Sequence, residues 1–300
     1  MTIRWLAAAG LALGLAVAVE GPATVAADAP ASVPAGFDVE GHRGTRGLEP
    51  EDTLPAFRHA IDLGVDTLEL DVAITRDGVP VVSHSPLVEN AICTAPDDSL
   101  QTGVAIHSLT LAQVQRFDCG SKPNPNFPKQ ARRPGTPIPT LAGVLDLAAA
   151  AGVRVNVESK VTPAWEAAGI TPAPADFVRL ILSALKTAGM MDSATLQSFD
   201  PRVFPLAKQQ APKLTLAWLV NSEPLDAVRS AQALGVNVYS PDYRSLNEGL
   251  VKAMHAAKIR VLPWTVDDEA TMRRLIDWNV DGIITDYPDL LLQVIGRSKP

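Results

Sequence analysis

From about residue 37 onward, short apolar runs alternate with longer segments of helical period. Eight runs read as strands: FDVEGH, TLELDVAI, VRVNVES, ATLQSF, LTLAWLV, NVYSP, IRVLPWTV and DGIITD. Between them lie amphipathic helical patterns such as TLPAFRHAIDLG, TLAGVLDLAAAAG, PLDAVRSAQALG, NEGLVKAMHAAK and DEATMRRLIDW. Several end in glycine, which suits a helix C-terminus. Strand–helix alternation implies a parallel sheet with helices packed on it. Eight repeats in roughly 250 residues predict an α/β fold, a TIM (β/α)8 barrel. The rival is an open doubly wound sheet, which would carry a glycine-rich phosphate loop after its first strand, and none stands there. One irregular stretch, about Leu87 to Pro139, breaks the rhythm. It reads as a small insertion after the second strand, Pro-rich near its end, with one short helix in TLAQVQRFD. A loop of this length in a compact domain usually has a job. It is predicted to cover the barrel face where active sites form and to select the leaving alcohol.

The first residues follow a different pattern. MTIR supplies a positive start, WLAAAGLALGLAVAV is an apolar run of 15, and ATVAADAPA offers small residues for cleavage. That run is short for a membrane span, which needs about 20 residues. Residues 1–27 are therefore expected to be a signal peptide, and 28–300 a single barrel domain. The protein is expected to be exported, periplasmic or secreted, with no stable membrane insertion after cleavage. The two cysteines, Cys93 and Cys119, then suggest a disulfide.

The chain has 300 residues, 47% hydrophobic and 20% charged, with a net charge of −7. An acidic chain without a run of basic residues is a poor nucleic-acid binder. A small anionic substrate is compatible, because local charge decides that.

Strand alternation sorts the side chains. In TLELDV, Glu69 and Asp71 share a face opposite Leu68, Leu70 and Val72. In VRVNVESK, Asn156, Glu158 and Lys160 share a face, and in DVEGHRG so do Glu40 and His42. A barrel turns its apolar strand faces toward the helices, so these polar faces point inward. Glu69, Asp71 and Glu158 then converge, and buried like charges need compensation. An oxygen-rich set favours one hard divalent cation, Ca²⁺ or Mg²⁺, over zinc. The alternative is ion pairing with Arg43 and Lys160. His42 and His84 form a candidate proton-transfer pair. Asp77–Gly78 predicts a two-residue hairpin turn that returns His84 toward the barrel mouth. Arg43 offers a fork for phosphate, with Lys160 a second candidate. Glu51 either caps the helix that starts near Asp52 or Thr53, or binds substrate hydroxyls. Trp264 reads as a pocket wall or as core. His59 and His255 read as packing or surface residues, and His107 stays open.

With those residues in view, the chain resembles the glycerophosphodiester phosphodiesterases over nearly the whole of residues 28–300. The resemblance rests on HRG, PEDT..AF..A...G.D.LELDV..T.DG.PVV.H, NVESK, QSFD, PWTV and DGIITDYPD. It implies a TIM barrel and a glycerophosphodiester substrate. It also implies Glu69, Asp71 and Glu158 as metal ligands, His42 and His84 as the acid/base pair, and Arg43 on the phosphate. Glu51, Lys160 and Trp264 would line the site. Many relatives carry Asn at the positions of Asp52 and Asp286, and Asp at that of Ser85. These departures bear on the pH response rather than on the reaction type. The implied reaction is hydrolysis to sn-glycerol 3-phosphate and an alcohol, by water or through a cyclic phosphate. Two rivals remain. One is a related barrel phospholipase acting on lysophospholipid or phosphoinositide headgroups, and the other is a non-catalytic binding protein for glycerophosphoryl groups.

Overall fold

Leu68, Leu70, Val72, Val155 and Val157 are fully buried on the helix-facing side of their strands, in one large apolar cluster. That single constraint curls the sheet and leaves the polar alternates inside it. The computed structural model describes residues 1–2 and 30–297. The expected signal peptide, residues 1–27, lies outside the described residues apart from its first two.

The strands are β1 (Asp38–Gly41), β2 (Thr67–Ile74), β3 (Pro80–Val82), β4 (Arg154–Ser159), β5 (Ala194–Ser198), β6 (Thr215–Val220), β7 (Val238–Pro241), β8 (Arg260–Val261) and β9 (Gly282–Thr285). The helices are α1 (Leu54–Leu63), α2 (Leu111–Val114), α3 (Leu141–Ala151), α4 (Pro163–Ala167), α5 (Pro174–Thr187), α6 (Val203–Gln210), α7 (Ala227–Leu234), α8 (Glu248–Ala256), α9 (Glu269–Asp277) and α10 (Pro288–Val294). All strands but β3 pair in parallel, in the order β8-β7-β6-β5-β4-β2-β1-β9. Backbone bonds from Asp281 N to Val261 O (3.0 Å) and Ile284 N to Pro263 O (3.1 Å) bring the two ends together. The result is the expected (β/α)8 barrel. β8 is short where IRVLPWTV predicts a long strand, because Pro263 has no N–H to give to the ladder.

The predicted hairpin exists, but its turn differs. β2 and β3 pair antiparallel, and Thr75 N donates to Val79 O at 3.0 Å. The loop is thus Arg76–Asp77–Gly78, with Gly78 alone at positive φ (76°). A two-residue type I′ turn would need positive φ at both central residues, and Asp77 does not supply it.

Residues 87–139 form a small annex with its own apolar cluster. Val88, Cys93, Ile106, Val114, Phe117 and Cys119 pack there against Ala73 and Val81 of the hairpin. Cys93 and Cys119 are disulfide-bonded, 26 positions apart. The short predicted helix is α2, started by a capping box between Thr110 and Gln113. The annex straps onto the loop that follows His42 and Arg43. Ala131 N donates to Leu48 O (2.8 Å), Gln130 Nε2 to Arg46 O (2.7 Å), and Arg133 Nε to Glu49 Oε2 (2.7 Å).

The disulfide closes its loop inside this annex, so the double variant Cys93→Ser/Cys119→Ser should lose about 3 kcal/mol by loop-closure entropy. Urea unfolding of the oxidised protein and the variant measures it, and a difference near zero would contradict the expectation.

Candidate active site

The acidic trio sits where strand register puts it. Asp71 on β2 is paired with Glu158 on β4, and Glu69 lies one pleat repeat below Asp71. One ligand oxygen from each of Glu69, Asp71 and Glu158 falls within 4.8 Å of the others, and all three residues are buried. The expected ion pairs are present as well. Lys160 Nζ is 2.8 Å from Glu158 Oε1 and 3.3 Å from Asp71 Oδ1, and Arg43 Nε is 3.2 Å from Asp71 Oδ2. These cations do not balance the trio. Three carboxylates face one ammonium and one guanidinium that is already shared with Glu51. Asp71 Oδ2 is buried without a hydrogen bond despite the nearby guanidinium.

The electrostatics follow. Burial raises the Glu69 pKa well above the usual carboxylate range, and Asp71 and Glu158 add to it. Burial also raises Glu158, to about 7, against the pull of Lys160. Asp71 is buried too, but Lys160 and Arg43 overcome that and hold it low. Oxygen donors, a surplus of negative charge and an unpartnered carboxylate oxygen together fit a hard divalent cation.

His42 follows β1 and Asp286 follows β9, and pairing of these strands sets them side by side. His42 Nδ1 donates to Asp286 Oδ1 at 2.5 Å, which fixes the tautomer and leaves Nε2 as an acceptor, 4.0 Å from Glu69 Oε2. Burial lowers the His42 pKa, and Asp286 opposes that shift. His84 is delivered by β3 to the wall of the same cavity. Burial brings it down to about 3, although Asp71 pulls the other way. Both imidazoles are neutral at pH 7.

Arg43 and Lys160 both line the cavity. Arg43 sits at φ +49°, and its own N–H donates to Glu69 Oε2 at 3.0 Å. Gly44 follows at φ +86°, with Ala56 of α1 so near that a β-carbon would sit 2.6 Å from its backbone. This turn tucks the HRG segment over the start of α1. Thr53, not Asp52, is the N-cap. Glu51 is engaged with arginines: Oε1 accepts from Arg43 Nη1 and Oε2 from Arg46 Nε, each at 2.6 Å. Burial would raise its pKa, but Arg43 and Arg46 overcome that and hold it at about 2. Glu51 lies outside the cavity lining. Burial first, and Asp71 second, raise the Asp52 pKa well above its usual value.

His42, Arg43, Glu69, His84, Glu158 and Lys160 open onto one cavity of about 510 Å³. Trp264 forms part of its wall, held by Nε1 donating to Ser240 O (2.8 Å) and set edge-on to Phe199 with ring centroids 5.6 Å apart. Val161, Thr162, Trp165, Leu219 and Asn221 continue that wall. None of the lining residues comes from the annex, contrary to the sequence expectation. The annex packs behind the loop 44–50, and the wall is built from the ends of β4, β5, β6 and β8 and the loops that follow them. His59, His107 and His255 stand apart: His59 Nδ1 lies 3.5 Å from Glu49 Oε1, His107 is hydrogen-bonded to Ile74 O (3.1 Å) and His255 to Asp281 (2.8 Å). Sequence reasoning missed three neighbours of the site. They are Asp286 on His42, Arg46 on Glu51, and Gln197, whose Nε2 donates to Glu69 Oε1 at 2.7 Å.

Comparison with known proteins shows the family and the fold. The sequence pattern of the glycerophosphoryl diester phosphodiesterase family matches residues 42–290. A glycerophosphodiester phosphodiesterase of Caldanaerobacter subterraneus subsp. tengcongensis is 30% identical, covering 86% of this chain and 97% of its own. A Silicibacter pomeroyi structure superposes with TM-score 0.79 at 30% identity, over 86% of this chain and 93% of that one. An Oleispira antarctica phosphodiesterase, solved with the product sn-glycerol-3-phosphate, shares the fold at TM-score 0.74 and 23% identity, over 86% and 96% of the two chains. Fold and site define a barrel hydrolase of phosphoric diesters. The chain belongs to the glycerophosphoryl diester phosphodiesterase family.

The Glu51 pair carries a pH signature. Its folded pKa, about 2, lies below the 4.5 of an unperturbed glutamate, so the stability it contributes is full above pH 4.5 and lost as pH falls toward 2. Glu51→Gln should cost about 3 kcal/mol at pH 7, since breaking a buried pair strands its partners. The gap to wild type should narrow below pH 4.5. Chemical denaturation across pH 2.5–7 tests both, and a gap independent of pH would contradict the assignment.

Proposed function

We propose that this chain hydrolyses glycerophosphodiesters to sn-glycerol 3-phosphate and an alcohol, using one divalent cation, Ca²⁺ or Mg²⁺, and the pair His42 and His84. The observation that carries it is the cluster of Glu69, Asp71 and Glu158 beside one cavity that His42, His84, Arg43, Glu69 and Glu158 line. Glu69, Asp71 and Glu158 would hold the ion. When bound, it supplies positive charge to the phosphoryl oxygens as negative charge develops there.

The protein's own groups do the rest. Arg43 and Lys160 face the phosphate and neutralise its oxygens. Asp286 keeps the His42 proton on Nδ1, so Nε2 takes the proton of the attacking hydroxyl, from water or from the glycerol chain. Asp286 then stabilises the imidazolium, as in other carboxylate–histidine pairs. His84, neutral in the free protein, would take up a proton from solvent as the anionic diester binds and raises its basicity, and would pass that proton to the leaving alkoxide as the P–O bond breaks. Trp264 and Phe199 exclude water from one side.

A second reading places a lysophospholipid in the same site. It is favoured by the wall of Val161, Trp165, Phe199 and Leu219, and by a neighbouring cavity of about 270 Å³ on the far side of Phe199, bordered by Pro163 and Pro201. We also propose that the protein is exported. The disulfide suits an oxidising compartment, and no helix among the described residues is long and apolar enough to cross a membrane.

Purified protein should release glycerol 3-phosphate from glycerophosphocholine, lose this on chelation and regain it with Ca²⁺ or Mg²⁺. Product formation unaffected by chelators would remove the metal from the scheme, and no product under any metal condition would remove the substrate. The histidine roles separate on leaving groups. His42→Ala should lose about 10²–10⁴-fold on every diester. His84→Ala should lose as much on alkyl diesters yet little on a nitrophenyl diester, which needs no acid. Equal losses on both would refute the division of labour.

A further inference from the structure

Arg46 has no place in the scheme above, yet it touches both halves of it. Its Nε donates to Glu51 Oε2 at 2.6 Å, and the other oxygen of that carboxylate accepts from Arg43 Nη1 at 2.6 Å. Its Nη1 lies 3.5 Å from Asp286 Oδ2, while Asp286 Oδ1 accepts from His42 Nδ1 at 2.5 Å. One guanidinium therefore sits between the carboxylate that holds Arg43 and the carboxylate that holds His42. Glu51 and Asp286 are 5% and 3% exposed at their side chains and Arg46 24%, so solvent screens this chain weakly.

Arg46 is itself held from the annex. The Phe127 ring lies under its guanidinium, 4.9 Å from centroid to Cζ, and Phe127 in turn meets Tyr287 edge-on at 6.3 Å. Gln130 Nε2 donates to the Arg46 carbonyl at 2.7 Å. On the barrel side, Gly47 N donates to Asp286 O at 2.9 Å. The annex lines none of the cavity, so this contact is its route to the chemistry.

We propose that Arg46 is a positioning residue. It fixes Arg43 and His42 relative to one another by bridging Glu51 and Asp286, and Phe127 and Gln130 of the annex hold it in that position. The geometry needs a fork. Lysine would keep the charge but reach one carboxylate only, as a point donor. The inference rests on the proposed function for its kinetic consequence, and on the geometry alone for its spectroscopic one.

The test uses the full protein and the variants Arg46→Ala, Arg46→Lys and Phe127→Ala. In proton NMR, the Nδ1 proton of His42, in its short bond to Asp286, should give a far-downfield signal that His42→Gln abolishes. Arg46→Ala should shift or broaden that signal and lower kcat on glycerophosphocholine by about 10- to 100-fold, with a smaller rise in KM, as misplaced catalytic groups do. Arg46→Lys should recover the melting temperature more than it recovers kcat. Phe127→Ala should move signal and kcat in the same direction, less far. An unchanged His42 signal in Arg46→Ala overturns the proposal whatever the activity does. So does an Arg46→Lys variant equal to wild type in both readouts, since charge alone would then suffice. If wild type hydrolyses no glycerophosphodiester while the signal moves as expected, the proposed function falls and the positioning role stands.

Discussion

Everything in this structure is arranged around three carboxylates that point into the interior of a barrel. Burying Glu69, Asp71 and Glu158 together is costly unless charge is brought to them. The neighbouring groups answer that need in turn. Lys160 bridges Glu158 and Asp71, Arg43 reaches Asp71 from the turn after β1, and Gln197 donates to Glu69. The polar interior continues below the site, where Asn156 Nδ2 donates to Gln197 Oε1 (3.1 Å) and to Glu40 Oε2 (2.8 Å). Glu40, raised to about 8 by burial and by Asp38, ends this column. The barrel interior is thus specified by hydrogen bonds as well as by packing, and the apolar core lies between sheet and helices.

The same constraint explains the two-layered support of the polar groups around the cavity. An acidic cluster fixed by strand register is rigid, because Asp71 and Glu158 are ladder partners. The histidines and arginines come from turns, which strands do not hold. They are secured by carboxylates: Asp286 for His42 and Glu51 for Arg43. Supporting partners of this kind set orientation and tautomer, and their loss is felt in the chemistry although they touch no substrate.

Much of this was legible beforehand. The strict alternation of LELDV and VNVES sufficed to place the trio, since period two leaves no choice of face once the apolar residues are buried. The eight-strand count gave the barrel, and Cys93 with Cys119 gave the disulfide. The rest depended on closure of the ring. Asp286 meets His42 only because the last strand pairs with the first, a contact between residues 244 positions apart. Nothing local in the sequence announces that Arg46 bridges Glu51 and Asp286. Asp-Gly suits a three-residue loop with Gly in the left-handed position as well as a two-residue turn, so the dipeptide alone does not fix the hairpin's length. Chain order places the annex near the barrel mouth, but its apolar cluster draws it onto the β2–β3 hairpin.

That annex leaves the barrel and returns to it at a single place. Val82 N donates to Pro139 O at 2.9 Å, and Val81 bridges Thr140, so entry and exit are neighbours on one short strand. A segment whose ends already touch changes length at little entropic cost, because closure depends only logarithmically on the number of residues. Such a segment behaves as an exchangeable cassette. The barrel would tolerate a shorter, longer or different segment at this place, since the two ends of the insertion meet on β3 whatever lies between them.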